Sequence, residues 1–367
     1  MQLSLFLLPL CFALAFAQFG GLGNFGNRGS NSISNTLNRG VASLASRFKE
    51  LPIVNNVRDF SEFATKTGRK YANAAEKSLH EGLFKDRLNL VDKQNKLFEA
   101  GKSSFKTGIN AFADFTHEEF VSKLTGNRKS SKGENAAKRH RQKAAPPAGA
   151  KVPDSFDWRE KGGVTPVKFQ GECGSCWSFA TTGAIEGHYF RKTGKLVELS
   201  EQNLIDCGKE DMGLAGCDGG FQEYAFEFIT TQQGVAKGAS YPYVDKKDTC
   251  RYKTDLKGAE ISGFAKIEPK DEVTMKKVIA TLGPLACSVN GLESLLLYES
   301  GIYSDEECNK GEVNHSVLVV GYGSENGQDY WIVKNSWDKV WGEEGYFRLP
   351  RGNNFCGIAL ECSYPIV

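Results

Sequence analysis

The chain has 367 residues, enough for one domain of ordinary size with accessory segments, and its formal net charge is only +2. That total hides two halves of opposite sign. Residues 1–151 hold 24 Lys and Arg against 12 Asp and Glu, a net +12, and residues 152–367 hold 22 against 32, a net −10. A basic half can bind nucleic acid or an acidic surface. Because the N-terminus indicates a secreted chain that rarely meets nucleic acid, the expected acidic partner is the second half of the same chain.

Residues 1–17 have the pattern of a secretory signal peptide. They form a long apolar run that ends in Ala15-Phe16-Ala17, an A-x-A cleavage pattern. The run is too short for a membrane span, and no later segment approaches eighteen apolar residues. Removal of Cys11 with the signal leaves nine cysteines, which allows four bridges and one free, reactive thiol. We expect an extracellular or lysosome-like acidic compartment.

Three further segments are expected in the basic half. Residues 18–56 form a Gly-, Asn- and Ser-rich extension. Residues 57–121 form a domain with a long helix and a strand over 108–114. Spacings of three and four mark one face of that helix, at Glu76, His80, Phe84, Arg87, Val91 and Asn95. Residues 122–151 form a polar, basic linker that a protease can cut.

The chemistry of the second half centres on Cys176. The apolar residues from this point follow a 3.6-residue period, at Trp177, Phe179, Ala180, Ala184, Ile185 and Tyr189. Gly171 and Gly174 precede the pattern, so a helix is expected to begin at Cys176 and to end near Gly194. At a helix N-terminus the unpaired N–H groups and the dipole favour an anion, which lowers the pKa of a thiol and makes the sulfur a nucleophile.

Three other interpretations of Cys173-Gly174-Ser175-Cys176 stay open at this point. The two cysteines could form a redox pair, half of a zinc site, or two separate halves of structural disulfides. A zinc site needs a second pair of ligands at similar spacing, and the sequence has none.

The rest of the second half predicts two lobes. A helix is expected after Ser200, which is a suitable N-cap. Beyond Ala259 the pattern is that of β-structure, with short apolar runs bounded by glycines at 316–323, 329–334 and 345–349. A helix-rich lobe followed by a β-rich lobe predicts a site in the cleft between them.

A thiolate nucleophile needs a nearby base and a third group that orients the base. His188 lies 12 residues along the helix from Cys176, roughly 18 Å away at about 1.5 Å per residue, so we expect an ordinary surface histidine there. His315 begins a strand in the other lobe, and Asn335 ends the next strand. A hydrogen bond from Asn335 would fix the imidazole tautomer of His315. A buried structural histidine is the competing interpretation of His315.

Three motifs resemble those of papain-family cysteine proteases, closest to the cathepsin L group. They are Cys173-Gly174-Ser175-Cys176-Trp177, Asn314-His315-Ser316 and Lys334-Asn335-Ser336-Trp337. The resemblance covers nearly all of residues 152–367, and about 57–120 resembles the inhibitory propeptide of the family. Residues 108–114 fit the propeptide pattern G-x-N-x-F-x-D at each fixed position. The long helix keeps only Glu, Phe and Asn of a six-residue signature.

The resemblance implies an α+β, papain-like two-lobed fold over 152–367, with a helical left lobe and a β-barrel-like right lobe, behind a mainly helical inhibitory prodomain. It implies that Cys176 is the nucleophile, paired with His315 as thiolate and imidazolium. Asn335 then orients His315, and Gln170 forms the oxyanion hole with the backbone N–H of Cys176.

The resemblance also implies substrate contacts and disulfides. Gly219 and Gly220 are expected to hydrogen-bond an extended substrate, and Trp337 to shield the catalytic contact from water. The implied bridges are Cys173–Cys217, Cys207–Cys250 and Cys308–Cys356. Cys287 and Cys362 lie outside the usual set and next to Ser288 and Glu361, the positions expected to line the S2 pocket. We expect them to form a fourth bridge, with two buried free thiols as the alternative.

Two departures from the family pattern bear on specificity. Glu361 falls at the expected floor of S2, where a carboxylate would accept Arg at P2 besides apolar residues; a side chain turned to solvent is the alternative. Asp338 replaces the glycine that usually follows Asn-Ser-Trp, which puts a charge near the leaving-group side.

The sequence therefore predicts a cysteine endopeptidase made as a zymogen, with no cofactor or metal. The expected partners are protein and peptide substrates, the chain's own propeptide and cystatin-type inhibitors, and the expected state is a monomer. An exopeptidase would need a cleft-blocking insertion, and no His-bearing insert lies between Cys176 and His315. A catalytically inactive binding or storage protein is the other alternative. Acid should weaken the attraction between the two halves and favour self-processing within 122–152.

Overall fold

The computed structural model describes residues 51–367. The predicted signal peptide and most of the predicted extension lie outside the described residues. In the described part of the chain, no helix combines the length and the apolar character that crossing a bilayer requires.

The helices are α1 Phe60–Lys66, α2 Ala74–Glu99, α3 His117–Glu119, α4 Ser131–Ala136, α5 Cys176–Thr193, α6 Glu201–Cys207, α7 Gln222–Gln232, α8 Glu272–Thr281 and α9 Glu293–Leu296. A π-helical turn, Phe120–Leu124, follows α3. Short 3-10 helices lie at Glu210–Met212, Gly216–Asp218, Gly238–Ser240, Thr254–Leu256, Glu306–Lys310 and Phe355–Gly357.

The strands are β1 Phe105–Thr107, β2 Phe156–Asp157, β3 Val235–Ala236, β4 Lys257–Ala259, β5 Gly263–Lys266, β6 Leu285–Val289, β7 Tyr298–Gly301, β8 His315–Glu325, β9 Gln328–Lys334, β10 Tyr346–Pro350 and β11 Ser363–Ile366.

Helices α1 and α2 form the core of the N-terminal domain. Each begins at a side-chain cap, Asp59 on the N–H of Glu62 and Asn73 on the N–H of Glu76. The predicted inner face of α2 is confirmed, because its middle members are buried: His80, Phe84, Arg87 and Val91. The ring of Phe84 packs between those of α1, 4.7 Å from the Phe63 centroid.

The strand predicted over 108–114 is wrong. The strand lies just before it, at β1, which pairs with β7 of the second half, and residues 108–114 form loop and turns. The reason is Asn110, whose Oδ1 accepts the N–H of Phe112 and whose Nδ2 donates to the carbonyl of Leu296. One local and one long-range hydrogen bond of Asn110 thus replace a strand ladder.

Residues 122–151 are more ordered than a linker. They contain α4, which packs on α7 so closely that a Cβ at Gly133 would lie 2.2 Å from the Tyr224 ring. The stretch 143–151, after this packed part, has no helix or strand and is mostly exposed.

The helical lobe is built around α5. This helix begins at Cys176 and ends at Gly194, whose φ of 71° gives the left-handed C-cap, as expected. Helix α6 begins at Ser200, whose hydroxyl accepts the N–H of Asn203, also as expected. Most side chains of α5 are buried, because α6 and α7 cover it on one side and β8 on another.

The prediction that His188 is a surface histidine is wrong. Its residue is only 8% exposed, its Nε2 lies 3.1 Å from the Pro284 carbonyl, and its ring stacks on Tyr364. Burial lowers the pKa of His188 to about 3, so the ring is neutral and structural. Helical periodicity gave its distance from Cys176 but not the β-lobe that packs over it.

The second lobe is an antiparallel sheet in the order β10-β9-β8-β6-β11-β5, with β2 added to β8. Its register places His315 opposite Val289. The strand path ends at β10 and β5 without joining them, so the described strands form an open sheet and no closed barrel. The α+β, two-lobed prediction is confirmed, and the barrel-like lobe is this open sheet.

Four disulfides are formed: Cys173–Cys217, Cys207–Cys250, Cys308–Cys356 and Cys287–Cys362. The last is the bridge proposed from the two extra cysteines. Among the described residues Cys176 alone is a free thiol. Because Cys173 is bonded to Cys217, it forms neither a redox pair nor a zinc half-site with Cys176.

Candidate active site

Cys176 is the first residue of α5 and is fully buried. Gly174 and Ser175 lead the chain into the helix, and a Cβ at Gly174 would lie 2.6 Å from the Cys217 carbonyl. The sulfur accepts the backbone N–H of Ser316 at 3.4 Å. Since Ser316 follows His315 at the start of β8, the fold brings the helical lobe and the sheet lobe together at these residues.

His315 is held on one edge of its ring by Asn335 at the end of β9. Its Nε2 lies 2.8 Å from Asn335 Oδ1, which can only accept, so Nε2 carries the proton. Nδ1 is buried and has no hydrogen-bond partner, so it remains a proton acceptor. The Trp337 ring lies over the imidazole, with 4.8 Å between centroids. The imidazole is therefore fixed in tautomer and orientation, and water is kept from one face.

A buried set of charges lies beneath Asn335 and joins the lobes. Lys334 donates from its Nζ to the Thr165 carbonyl at 2.8 Å. Lys168 lies 3.4 Å from Glu186 and 2.8 Å from Glu201 in the helical lobe. Burial lowers the pKa of Lys334 to about 8, against the opposing pull of Glu186. The strand end that carries Asn335 is thus tied to the helices that carry Cys176.

Gln170 lies beside the sulfur-bearing turn. Its Oε1 accepts the Ser336 hydroxyl at 2.6 Å, and its Nε2 donates to the Cys173 carbonyl at 2.9 Å. The same Nε2 also donates to the carbonyl of Lys123 at 3.2 Å. A side-chain amide held by both lobes thus already binds a main-chain carbonyl of the N-terminal half.

Residues 123–129, called here the cleft segment, cross the site. The Trp337 indole N–H donates to the Leu124 carbonyl at 3.1 Å. The carbonyl of Asn314, next to His315, accepts the N–H groups of Gly126 and Asn127 at 3.2 and 3.0 Å. The cleft segment therefore occupies the positions where a peptide would approach the sulfur.

Of the two glycines expected to bind a peptide backbone, Gly220 makes main-chain hydrogen bonds to the cleft segment. Its N–H donates to the Gly126 carbonyl at 2.9 Å, and its carbonyl accepts the Arg128 N–H at 2.8 Å. The N–H of Gly219 instead bonds within its own turn, to Gly216. Gly219 serves by its lack of a side chain, since a Cβ there would lie 2.7 Å from the Arg128 side chain.

Glu361 and Ser288 form one pocket of the cleft. Glu361 is 8% exposed and makes an ion pair with Lys129 of the cleft segment, and its Oε2 lies 3.4 Å from the Ser288 hydroxyl. The Lys129 ammonium lies 5.4 Å from the centroid of the Phe221 ring, which forms an apolar wall. The carboxylate therefore points into the cleft rather than to solvent.

Sequence reasoning missed a polar junction at the base of this pocket. The side-chain amide of Asn127 donates to the hydroxyls of Ser288 and Ser316 at 2.7 and 2.8 Å. Gln222 donates to the Ser288 hydroxyl at 3.1 Å and to the Glu361 carbonyl at 3.0 Å. No sequence signal marks Asn127, because it is one polar residue in a polar, basic stretch.

Asp338 does not project a free charge here. Its Oδ2 accepts the N–H of Leu51 at 2.8 Å, and the residue is 5% exposed. Its φ of 74° lies in the left-handed region that suits the glycine of the family pattern, and Asp tolerates it better than most side chains. The backbone N–H of Leu51, in the basic half, is thus a hydrogen-bond donor to this carboxylate.

The lowered thiol pKa expected for Cys176 is wrong for this covered form. Burial raises the pKa of Cys176 to about 11, against hydrogen bonds from Ser316. Burial also lowers the pKa of His315 to about 4, although the Asn335 hydrogen bond opposes it. At neutral pH the pair is therefore thiol and neutral imidazole. The helix N-terminus does not offset the loss of water around the sulfur.

Two family profiles match the chain. One, described as papain family cysteine protease, matches residues 152–366, and one, described as cathepsin propeptide inhibitor domain (I29), matches residues 60–120. Cathepsin L of Sarcophaga peregrina is 44% identical over 304 residues, 82% of this chain and 89% of that protein. Procathepsin L of Rattus norvegicus is 41% identical over 309 residues, 82% of this chain and 90% of that protein. The structure of digestive procathepsin L 3 from Tenebrio molitor larval midgut superposes with a TM-score of 0.76 at 38% identity, covering 84% of this chain and 97% of that one.

We expect alkylation of Cys176 in the intact chain to accelerate only far into the alkaline range. The thiolate is the reactive form, and a thiol with a pKa of about 11 is ionised in about one molecule in ten thousand at pH 7. The measurement is the rate of iodoacetamide addition to Cys176 by mass spectrometry across pH. After removal of the cleft segment the inflection should move to lower pH. An inflection below pH 7 in the intact chain would contradict the burial argument.

Proposed function

The chain belongs to the papain family of cysteine proteases, as a cathepsin L-like zymogen, and we propose that its Cys176, His315, Asn335 and Gln170 carry the hydrolysis of peptide bonds. The observation that carries this proposal is the hydrogen bond between the Cys176 sulfur and the backbone of Ser316. It places a free thiol against the residue that follows His315, whose Nε2 is already held by Asn335. In this covered form His315 Nδ1 has no hydrogen-bond partner, so its pairing with the sulfur belongs to the proposed reaction.

The proposed steps follow from these positions once the cleft segment has left. Nδ1 of His315 takes the thiol proton, and the thiolate attacks the substrate carbonyl carbon. Gln170 Nε2 and the backbone N–H of Cys176 then donate to the oxygen that gains the negative charge, a contribution typically of about 10²–10³-fold in rate per donor. The imidazolium gives its proton to the leaving amine, which leaves a thioester on Cys176. Water activated by His315 hydrolyses that thioester and restores the thiol.

Asn335 acts in this scheme as a positioning residue. Its amide oxygen keeps the proton on Nε2, so Nδ1 stays available to the sulfur. It also raises the pKa of His315 against the effect of burial. Trp337 keeps water from this hydrogen bond by covering the ring.

The first test is activity of the processed enzyme on a short peptide. We expect Cys176→Ala, processed in trans by wild-type enzyme, to lose activity and labelling by an epoxide that traps cysteine proteases. We expect Asn335→Ala to lower kcat/KM by about 10²-fold, within the range of general acid–base effects. Its alkaline limb should move to lower pH, because the hydrogen bond that raises the His315 pKa is gone.

The control is Glu210→Gln, which removes an exposed ion pair with Lys247 and should leave the pH profile unchanged. Full activity of Cys176→Ala would end the proposal. If Asn335→Ala lowers kcat/KM equally at all pH values and the alkaline limb of the pH profile does not move, the positioning role is contradicted.

We propose that Glu361 gives the S2 pocket a dual preference, for apolar residues and for Arg at P2. The support is the occupant of the pocket, since the cleft segment places the ammonium of Lys129 on this carboxylate and against the Phe221 ring. A buried carboxylate left without a cation carries a desolvation cost, so a basic P2 side chain gains where a neutral polar one does not. The Ser288 hydroxyl donates to Oε2 of the same carboxylate, whereas Lys129 pairs with Oε1.

For this pocket we expect Glu361→Gln to lower kcat/KM for a P2 Arg substrate by about 10–100-fold, the weight of a charge-assisted hydrogen bond. The matched P2 Phe substrate should change little, because the apolar wall is kept. Glu361→Ala should give the same loss with Arg. The measurement is the ratio of kcat/KM for the two substrates. An unchanged ratio in both variants would rule out Glu361 as the selector.

We propose that the propeptide keeps the enzyme latent through charge pairing and that acid releases it. Between residues 51–151 and 152–367, every described ion pair has its cation in the first part and its anion in the second. Five of them are Arg69–Glu172, Arg87–Glu293, Lys123–Glu172, Lys129–Glu361 and Arg141–Glu223. His117–Glu293 and His140–Glu227 join them when the imidazole is protonated. Protonation of the acidic partners removes this one-directional attraction.

Inside the propeptide, Asp114 holds the fold at its junction with the catalytic domain. It is fully buried, with Arg69 at 3.2 Å, the Tyr71 hydroxyl at 3.0 Å and His80 Nδ1 at 3.5 Å. Burial opposes its charge, but Arg69 and His80 outweigh burial and hold the pKa of Asp114 below its usual range. A carboxyl whose pKa is lower in the folded state than in the unfolded state stabilises the fold at pH values above the unfolded-state pKa. That stabilisation is lost as the pH falls through the folded-state pKa.

His80 adds the opposite pH dependence. Burial disfavours its charge, but hydrogen bonding and charge from Asp114 prevail, so the pKa of His80 is raised. Its contribution is fully present below the unfolded pKa and is lost as pH rises through the folded pKa. The cluster is therefore strongest in mild acid, where both Asp114 and His80 are charged.

We expect Asp114→Asn to let the zymogen process itself at a pH at least about one unit higher than wild type, because a neutral amide cannot pair with Arg69 at any pH. The measurement is the fraction of zymogen processed after a fixed time between about pH 3.5 and 7, a window that spans the usual pKa values of carboxyl groups and imidazole. The matched control is Asp92→Asn, which breaks an exposed pair with Arg58 on the same domain. An identical shift in both variants would contradict a role for the buried cluster.

We further propose that the enzyme acts as a monomer in an acidic compartment of the secretory pathway or outside the cell, and that cystatin-type inhibitors bind its open cleft. The acid-sensitive cluster at Asp114 supports an acidic site of activation. The relatives include digestive cysteine proteinase 1 of Homarus americanus, 41% identical over 310 residues.

A further inference from the structure

Residues 139–142, called here the strap, lie along β5 at one end of the sheet. The N–H of Phe264 donates to the His140 carbonyl at 3.2 Å, and the N–H of Gln142 donates to the Phe264 carbonyl at 2.8 Å. The bridge between Arg141 and Phe264 is parallel. Because β5 is the last strand of the sheet path, the strap supplies the backbone partners that an edge strand otherwise lacks.

Two buried carboxylates of α7 hold the strap's basic side chains. Glu227 accepts the His140 ring at 2.7 Å and its backbone N–H at 3.0 Å. Glu223 accepts the Arg141 guanidinium at 3.0 Å and lies 3.3 Å from Lys266. Glu223 is 1% exposed and Glu227 is fully buried while the strap is present.

The strap precedes residue 152, where the match to the papain family profile begins, and lies in the segment within which we expect processing. The stretch after it, 143–151, has no helix or strand, is mostly exposed and contains Pro146-Pro147. Cleavage there releases the strap with the propeptide. Its loss uncovers an edge strand together with two carboxylates that lose their strap cations, Glu223 keeping only Lys266.

From this geometry we propose that the mature enzyme has a second peptide-binding site, at the β5 edge with Glu223 and Glu227, that takes an extended basic segment of a protein substrate. The proposal rests on the proposed proteolytic function. Main-chain hydrogen bonds to Phe264 give the strand addition, and the two carboxylates select adjacent cationic side chains. The same negative charge excludes anionic ligands such as nucleic acid or sulfated glycans.

The second site adjoins the catalytic cleft. Gln222, the residue before Glu223, contacts both Ser288 and the Glu361 carbonyl. A substrate that carries a basic stretch on the S2 side of its cleavage point can therefore engage the cleft and the β5 edge together. Such double engagement raises the local concentration of the scissile bond without any new contact at Cys176.

The test uses mature enzyme blocked at Cys176 by the epoxide, and a fluorescent peptide of residues 137–144 as probe. We expect saturable binding that weakens at least about 10-fold in Glu223→Gln/Glu227→Gln, consistent with loss of two charge-assisted contacts. The matched control, Glu210→Gln/Glu307→Gln, changes the net charge equally at two exposed residues and should bind as wild type. The same loss is expected with wild-type enzyme when His140→Ala and Arg141→Ala are placed in the peptide, so the test does not depend on folding of the double variant.

Three outcomes would overturn the proposal. The first is the absence of saturable binding. The second is that the double variant and the altered peptide bind as well as the wild-type enzyme and peptide. The third is a mature N-terminus at or before Arg139, which would leave the strap in place. Failure of the proposed proteolytic function is seen separately, as absence of hydrolysis of a short P2 Phe peptide by unblocked enzyme.

Discussion

Loss of water around Cys176 and His315 is the constraint on which the rest of this structure depends. With residues 123–129 across the cleft, both side chains are fully buried, and burial moves their pKa values in opposite directions, toward thiol and neutral imidazole. The same seven residues thus cross the proposed substrate path and disfavour the charges that the proposed chemistry uses. A helix N-terminus favours a thiolate, but its effect is of the order of one kcal/mol and does not offset full desolvation.

Charge organises how the two halves meet. In the ion pairs described between residues 51–151 and 152–367, the cations lie in the first part and the anions in the second, so the pairs reinforce one another. Exposed pairs such as His117–Glu293 contribute little individually, whereas Glu223 and Glu227 are buried and depend on their partners. Asp114 lies within the propeptide, and links the integrity of that domain to pH.

The sequence was informative where periodicity or chemistry is local. The start of α5 at Cys176, its end at Gly194, the inner face of α2 and the cap at Ser200 all follow from side-chain pattern and cap residues. The fold class followed from the resemblance, carried by short motifs around Cys176, His315 and Asn335. The failures all depend on distant contacts. His188 is buried by Tyr364, and the 108–114 segment is turned by Asn110 binding Leu296. The Cys176 pKa is raised by burial in a cleft that residues 123–129 cross. The junction at Asn127 left no trace in the sequence because its partners, Gln222, Ser288 and Ser316, come from three separate elements.

The ion pair between Lys129 and Glu361 connects two roles of one pocket, the proposed substrate selection and the binding of the propeptide. Glu361 is the residue proposed to select the P2 side chain of the substrate, and it also forms an ion pair with the cleft segment. A mutation of Glu361 that changes the preference of the pocket therefore also weakens binding of the propeptide, unless position 129 changes with it. Among related enzymes with different substrate preferences, we therefore expect positions 129 and 361 to change together, so that substrate selectivity and inhibition by the propeptide remain coupled.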